Sequence, residues 1–350
     1  MWEYIQEGLI LLDSHMAVIS INDYAAASLG TDRDECSGKA VSELSQELYS
    51  LVTLAFAKKH TEGIVSSGGK MYRADVSAVS ADVVVTGFVI LLSDVTEKED
   101  AERMRREFTA NVSHELKTPL HSISGCAEML SGGMVKSEDV PTFSTQIYQE
   151  AKRLIQLIDD IIKLSRLDEA GEKIADSFTA VDLFDEAVRV ADSLSDKAEK
   201  NGVTLNVTGK SCMILGTRQT ADAIICNLCD NGIKYNKRGG MVEINVSEKE
   251  NGVMLTVRDT GIGIEGEHIP RIFERFYRVD KSHSKEVGGT GLGLSIVKHA
   301  AMILSAKIDV KSKVGEGTAV SVLFQTYDKS KENDRGAVIK GELNVQNSGN

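Results

Sequence analysis

The chain has 350 residues, 42% of them hydrophobic and 26% charged, which is enough for two or three domains with buried cores. A net charge of −12 excludes the basic face that wraps nucleic acid, and 5% aromatics excludes a base-stacking platform. The longest strongly apolar run, Val83 to Leu92, is broken by Thr86 and Gly87 and is too short to span a bilayer. No signal peptide follows Met1, so the chain as given reads as cytoplasmic. Cys36, Cys126, Cys212, Cys226 and Cys229 are odd in number and scattered, which suits a reducing compartment. Cys226 and Cys229 form a C-x-x-C inside a predicted helix. There the spacing reads as small packing residues, and no second pair completes a zinc site.

Gly8–Asp13 and Ala17–Ile21 read as strands joined by a turn at Asp13-Ser14-His15. A short helix is predicted around Asp23–Leu29 and another over Leu48–His60. Met71–Val79 and Val83–Leu92 read as strands separated by Ser80-Ala81-Asp82. The order β-β-α…α-β-β, ending in Ser93-Asp94-Val95-Thr96-Glu97, resembles a PAS domain, which feeds its last strand into a signalling helix. The resemblance implies a PAS-like α/β sensor domain over residues 1–94. It leaves two roles open, a spacer that only dimerises and a sensor that takes an unidentified small ligand. No motif assigns His15, Cys36 or His60 to a haem or flavin.

A long helix is predicted over Glu97–Leu130. Its charged start, Glu97 to Arg103, suits an exposed coiled-coil entry. Apolar residues at 104, 108, 112, 116, 120, 123, 127 and 130 are spaced by threes and fours and span an arc of roughly 160°. His114 lies about 200° from Val112, on the opposite side, and Thr118 and His121 share its stripe. Pro119 has no N–H for the carbonyl of Glu115, so it is expected to interrupt and bend the helix there. The run Phe108 to Leu120, with Ser113-His114-Glu115-Leu116-Lys117-Thr118-Pro119-Leu120 at its centre, resembles the phosphoacceptor box of sensor histidine kinases.

Ser131-Gly132-Gly133 ends the helix, and a second is predicted from about Ser137 to Leu167. Ile147, Ala151, Leu154, Ile158 and Ile161 form its stripe, widened by Tyr148, Ile155 and Ile162. Neither helix alone hides such a stripe, but a hairpin that dimerises into a four-helix bundle does. The family resemblance implies this architecture for residues 97–168, the dimerisation and histidine phosphotransfer domain. Asp168 to Lys173 reads as a polar linker.

Residues 176–327 read as a second α/β domain. Asp182 suits the N-cap of a helix ending at Asn201-Gly202, and Thr217 the cap of a helix running to about Tyr235. Val203–Val207 and Cys212–Leu215 read as strands. Val242, Ile244 and Val246 alternate, as do Val253, Leu255 and Val257, and Glu250-Asn251-Gly252 joins them as a hairpin. A glycine-rich segment follows from Thr260 to Gly291, then a helix over Leu292–Leu304 and strands at Ile308–Val310 and Ala319–Phe324. Residues 328–350 are polar and read as a disordered tail.

Four spaced motifs fall in this domain. In the first, Asn227 to Tyr235, residues 227, 231, 234 and 235 share one helical side. Amide oxygens at Asn227 and Asn231 suit Mg²⁺, Lys234 suits a phosphate, and Tyr235 suits the flat face of a base. In the second, Asp259-Thr260-Gly261-Ile262-Gly263-Ile264, a carboxylate at a strand end can accept from an adenine amino group while Gly261 and Gly263 admit the backbone closely. The third, Arg271 to Arg278, resembles the F box of histidine kinases, which anchors a mobile lid, and the resemblance makes its arginines, Arg275 and Arg278 among them, candidate phosphate contacts. The fourth, Gly289-Thr290-Gly291-Leu292-Gly293-Leu294, puts backbone N–H groups at a helix start, where an anion is favoured. It is not a P-loop, because no Gly-Lys-Ser/Thr follows. Farther on, Gly315-Glu316-Gly317-Thr318 resembles the last conserved turn of the histidine-kinase ATP-binding domain, and the resemblance implies that Thr318 joins Asp259 at the adenine.

The four motifs stand in the order of the histidine-kinase ATP-binding domain, so the resemblance covers about residues 97–326. It implies an α/β-sandwich ATP-binding domain of the Bergerat type, and a multidomain α+β chain overall. Gly232 replaces the family's usual alanine, Asn236 its serine or threonine, and His283 and Lys285 stand where relatives often have arginine. The implied chemistry is autophosphorylation of His114 by ATP with Mg²⁺, Glu115 holding the proton of the other ring nitrogen. The phosphoryl group then passes to an aspartate on a response regulator receiver domain, and Glu115-Leu116-Lys117-Thr118 matches the family's phosphatase pattern. The implied assembly is a homodimer. Transmembrane helices upstream would make the chain the cytoplasmic part of a longer receptor. Two other classes stay open, an ATPase of the Hsp90-, gyrase- and MutL-like superfamily and a sensor scaffold whose main output is phosphatase activity.

Overall fold

The computed structural model describes residues 7–81, 84–169, 178–279 and 289–327. The chain divides into two units, Met1–Ala110 and Asn111–Asn350. The first is built on an antiparallel sheet of β1 (Gly8–Asp13), β2 (Val18–Ile21), β3 (His60–Ser67), β4 (Lys70–Ala81) and β5 (Val84–Asp94), in the order β2-β1-β5-β4-β3. Four helices lie between β2 and β3: α1 (Asp23–Ser28), α2 (Arg33–Cys36), α3 (Val41–Leu44) and α4 (Gln46–Lys58). Inward-facing Ile10, Leu12, Phe88, Ile90 and Leu92 pack with Leu48 and Val52 of α4. Asn22 caps α1 through its side-chain oxygen, which also accepts from Leu9 N.

One expectation is corrected here. The helix expected to reach His60 ends at Lys58, because Lys59 adopts φ +66°, and the chain then turns into β3. That strand gave no apolar alternation, since Val65 is its one buried residue. At the other end of the unit, Asp94 accepts from Thr96 N and Oγ1 at 3.0 and 2.6 Å and from Lys70 Nζ at 2.9 Å. The bonds from Thr96, more than the lysine, hold its carboxyl down at about 2. Thr96 Oγ1 also accepts from Met71 N, so the residue that opens the next helix is tied to β4.

That helix, α5 (Thr96–Ser131), runs through Pro119 and matches the span expected for it. Pro119 is buried. After a turn in which Gly133 takes φ +64°, α6 spans Val140–Glu169. It extends through Asp168, where a linker was expected to begin. Leu157 and Leu164 are buried, whereas Leu120, Met129, Tyr148, Ile155, Ile158 and Ile162 are exposed. Part of the apolar stripe is therefore open in a single chain.

Beyond residue 178 the sheet order is β11-β12-β10-β9-β7, from β7 (Thr204–Gly209), β9 (Met241–Lys249), β10 (Gly252–Asp259), β11 (Lys307–Lys313) and β12 (Gly317–Phe324). Among the described residues, only β7 and β9 pair in parallel. A two-stranded sheet joins β6 (Thr179–Asp182) to β8 (Met213–Gly216). Helices α7 (Leu183–Asn201), α8 (Arg218–Lys234) and α9 (Gly293–Ile303) pack with the large sheet around Leu183, Ile224, Ile225, Val242, Ile244, Leu255, Val297 and Phe324. Asp182 and Thr217 act as the expected caps, and Gly202 ends α7 at φ +67°. Cys226 and Cys229 are unpaired on α8, and burial pushes both thiols up, as packing residues require.

Candidate functional site

The phosphoacceptor side begins with the helical phase of α5. His114 points away from the packed side, with 81% of its side chain exposed. Glu115, the next residue, turns toward α6, where its Oε2 lies 3.5 Å from Arg153. Its other oxygen is 4.0 Å from His114 Nδ1. Thr118 Oγ1 donates to the carbonyl of His114 at 3.1 Å, the bond a threonine often makes one turn back along a helix.

A cluster of polar side chains is assembled where α8, β10 and the glycine segment before α9 meet. Asn227 Nδ2 donates to Ala223 O, which turns its Oδ1 outward. A Cβ on Gly293 would lie 3.0 Å from that oxygen and 3.8 Å from Asn231 Nδ2, so both amides border the start of α9. A Cβ on Gly289 would lie 2.6 Å from Lys234 Nζ, 3.3 Å from Tyr235 Oη and 3.6 Å from an Arg278 nitrogen. Asn227, Asn231, Lys234, Tyr235, Arg278, Gly289 and Gly293 are thus one cluster of amides and cations around a glycine loop. Lys234 Nζ sits 5.5 Å from the centre of the Tyr235 ring. Burial lowers the lysine to about 8, against the opposing charge of Asp230. Gly291 holds φ +72° with its backbone against Phe276, whose N–H donates to Gly291 O. Leu292 is buried beside it.

A second cluster surrounds Asp259. One carboxylate oxygen accepts from Gly261 N at 2.8 Å and from Thr318 N at 3.2 Å. Burial raises its pKa, opposed by those two bonds. Gly261 and Gly263 are required by close approach: a Cβ would meet Tyr235 O at 2.3 Å and Lys313 O at 2.1 Å. Ile262 N donates to Tyr235 O, linking the two clusters through the end of α8. Thr318 Oγ1 pairs with Ser312 Oγ at 2.8 Å, and Ser312 Oγ accepts from Ile264 N.

Asn227 and Asn231 are a fit for a hard cation. They offer amide oxygens without a carboxylate, a set that leaves most coordination positions to water and phosphate.

Three residues that sequence reading did not single out bind α6 to this region. Asp160, 7% exposed, accepts from Thr290 Oγ1 at 2.7 Å. Asp168 accepts from Arg275 at 3.0 and 3.1 Å and lies 2.6 Å from His299 Nε2. Arg275 is therefore engaged with α6. His299 is held below its ordinary range by burial, with Asp168 pulling the other way. The seven-residue spacing of Arg153 and Asp160 puts them on one stripe of α6, a pattern visible in sequence only once the stripe is known to face polar groups. His283 and Lys285 lie outside the described residues.

Comparison with known proteins agrees with this division. A family model for the His kinase A phosphoacceptor domain matches residues 104–170. One for the histidine kinase-, DNA gyrase B- and HSP90-like ATPases matches residues 216–328. The sensor protein kinase WalK of Staphylococcus aureus is 30% identical over 330 residues, which are 91% of this chain and 78% of that protein. WalK of Staphylococcus saprophyticus is 30% identical over 332 residues, 91% of this chain and 53% of that one, so the chain spans about half the length of that relative. Histidine kinase ThkA, solved in complex with response regulator protein TrrA, shares the fold at a TM-score of 0.50 and 19% identity, covering 91% of this chain and 96% of its own. With a phosphoacceptor hairpin and a GHKL-type ATPase fold in one chain, and a relative matched over most of its length, the chain belongs to the sensor histidine kinases.

Proposed function

We propose that the chain phosphorylates His114 from ATP and passes the phosphoryl group to an aspartate of a response regulator receiver domain. The single observation that carries this reading is an exposed histidine, with a carboxylate at its Nδ1, in the same chain as a paired base and phosphate site. Asp259 accepts from the adenine amino group, and Gly261, Gly263 and Thr318 frame the base. Lys234, Arg278 and the N–H groups of the 289–293 loop hold the phosphates, while Asn227 and Asn231 hold Mg²⁺, which offsets phosphate charge.

Glu115 faces Nδ1 and leaves Nε2 toward solvent, so Nε2 supplies the attacking electron pair. The new N–P bond forms as the bond from the γ-phosphorus to the ADP oxygen breaks. The proton on Nδ1 is held by Glu115, which keeps the ring from becoming cationic as charge moves to phosphorus. The P–N bond of the product is reactive enough to donate to a carboxylate. The half-open apolar stripe on α5 and α6 supports a homodimer. The sheet order of residues 8–94 supports a PAS-like sensor, with any small ligand unidentified. The hairpin with His114 sets the chain apart from ATPases that share only the nucleotide motifs.

The test uses the full chain and γ-labelled ATP. Wild type takes up label that is lost in acid and kept in base, and His114→Gln takes up none while still binding ADP. Equal acid-labile label in the variant would reject the assignment.

A further inference from the structure

We infer that Arg153 is a positioning residue for the phosphoacceptor step, its guanidinium fixing one oxygen of Glu115 so that the other stays turned to His114 Nδ1. This inference rests on the proposed role of His114 and Glu115 and adds a residue to it.

The argument starts from helix phase. Neighbouring residues on a helix point about 100° apart, so a glutamate beside an exposed histidine does not naturally face it. Glu115 must lean back around the helix, and its three side-chain torsions leave many other arrangements open. A base that is in place only part of the time contributes only that fraction of its effect. Something on the far side must therefore hold the carboxylate.

Arg153 occupies that place. It comes from α6, its side chain is 20% exposed, and it reaches Glu115 Oε2 at 3.5 Å. The carboxylate thus lies between two groups, with Oε2 3.5 Å from Arg153 and Oε1 4.0 Å from His114 Nδ1. Removing the arginine leaves Glu115, one third exposed, with open solvent as its alternative. The cluster also extends toward the nucleotide. Arg278, half-buried beside Tyr235 and Gly289, feels the charges of both Arg153 and Glu115. A lysine at 153 would supply charge but not the planar fork that sets an oxygen's direction.

The experiment is a double-mutant cycle on the full chain, reading initial autophosphorylation rate against ATP concentration. Arg153→Met keeps the apolar stem and is expected to lower kcat by about tenfold to a hundredfold, a fraction of the roughly hundredfold or more that a positioned base contributes. KM for ATP should stay within about twofold, because the nucleotide contacts are untouched. Arg153→Lys should recover part of the lost rate. In a Glu115→Gln background, Arg153→Met should remove little more, since the group it positions is already gone. A loss in that background as large as in wild type would overturn the inference. So would a raised KM with kcat unchanged. ADP affinity equal to wild type certifies each variant's fold, and a variant that loses it counts against a role confined to Glu115. If wild type takes no acid-labile label, the wider proposal fails. If it labels normally and the cycle is additive, only the role of Arg153 fails.

Discussion

Nucleotide affinity should fall as pH rises above about 8, because that is where burial has moved the proton of Lys234. A shift from 10.5 to about 8 corresponds to roughly 3 kcal/mol disfavouring the ammonium in the empty site. A phosphate seated on Nζ reverses that preference. Above the shifted value, binding must therefore take up a proton, and affinity should drop by up to about tenfold per pH unit. The phosphates of ADP are fully ionised there and add no opposing term. The sign for stability follows the same accounting. The unfolded lysine holds its proton to 10.5 and the folded one only to about 8, so between those values this group makes the empty fold more stable as pH rises. Calorimetric titration with ADP and Mg²⁺ at about pH 7 to 9.5, in buffers of different ionisation enthalpy, reads both affinity and proton uptake. Uptake should approach one proton per nucleotide at the upper end, and Lys234→Met should abolish it. Flat affinity without proton uptake across that range, in protein that remains folded, would refute the reasoning.

Asp259→Asn should weaken ATP binding by about tenfold or more and GTP binding far less, since a charged acceptor bond contributes about 1.5–3 kcal/mol; nucleotide titration checks it. Gly317→Ala should lower the melting temperature measured by circular dichroism, because the methyl would lie 2.1 Å from Asp259 O at a residue with φ +108°. Thr118→Ala should spare autophosphorylation and slow dephosphorylation of the regulator. Unchanged decay would reduce Thr118 to the bond it makes with His114 O. The full chain should sediment as a dimer, and Ile155→Glu with Ile162→Glu should make it monomeric, because both side chains are exposed on the unpaired stripe.

Sequence carries information best where the physics is local. The β9–β10 hairpin, the Asp182 and Thr217 caps and both long helices follow from alternation, capping chemistry and threefold and fourfold spacing, all within a few residues. Strand β3 is hidden because it is mostly exposed, and β6 because Thr179-Ala180-Val181-Asp182 offers one buried apolar residue, Val181, where its partner β8 offers the apolar run Met213-Ile214-Leu215. Pro119 does not end α5 although its ring has no N–H for the Glu115 carbonyl, because losing one bond leaves the neighbouring turns of a long helix in place. In the site, glycines and asparagines at fixed spacing were legible as motifs. The contacts of α6 were not, since Asp168 meets Arg275 across 107 residues and Asp160 meets Thr290 across 130. No spacing rule spans such separations.

The central claim is that a phosphoryl group from ATP comes to rest on one nitrogen of one side chain. Phosphorus NMR of the full chain after incubation with ATP and Mg²⁺ at neutral pH, together with peptide mapping kept out of acid, tests it most directly. The account predicts a single phosphohistidine at His114 carrying phosphorus on Nε2. ATP consumed with phosphate released and no phosphohistidine, or phosphorus found on another residue, would contradict it.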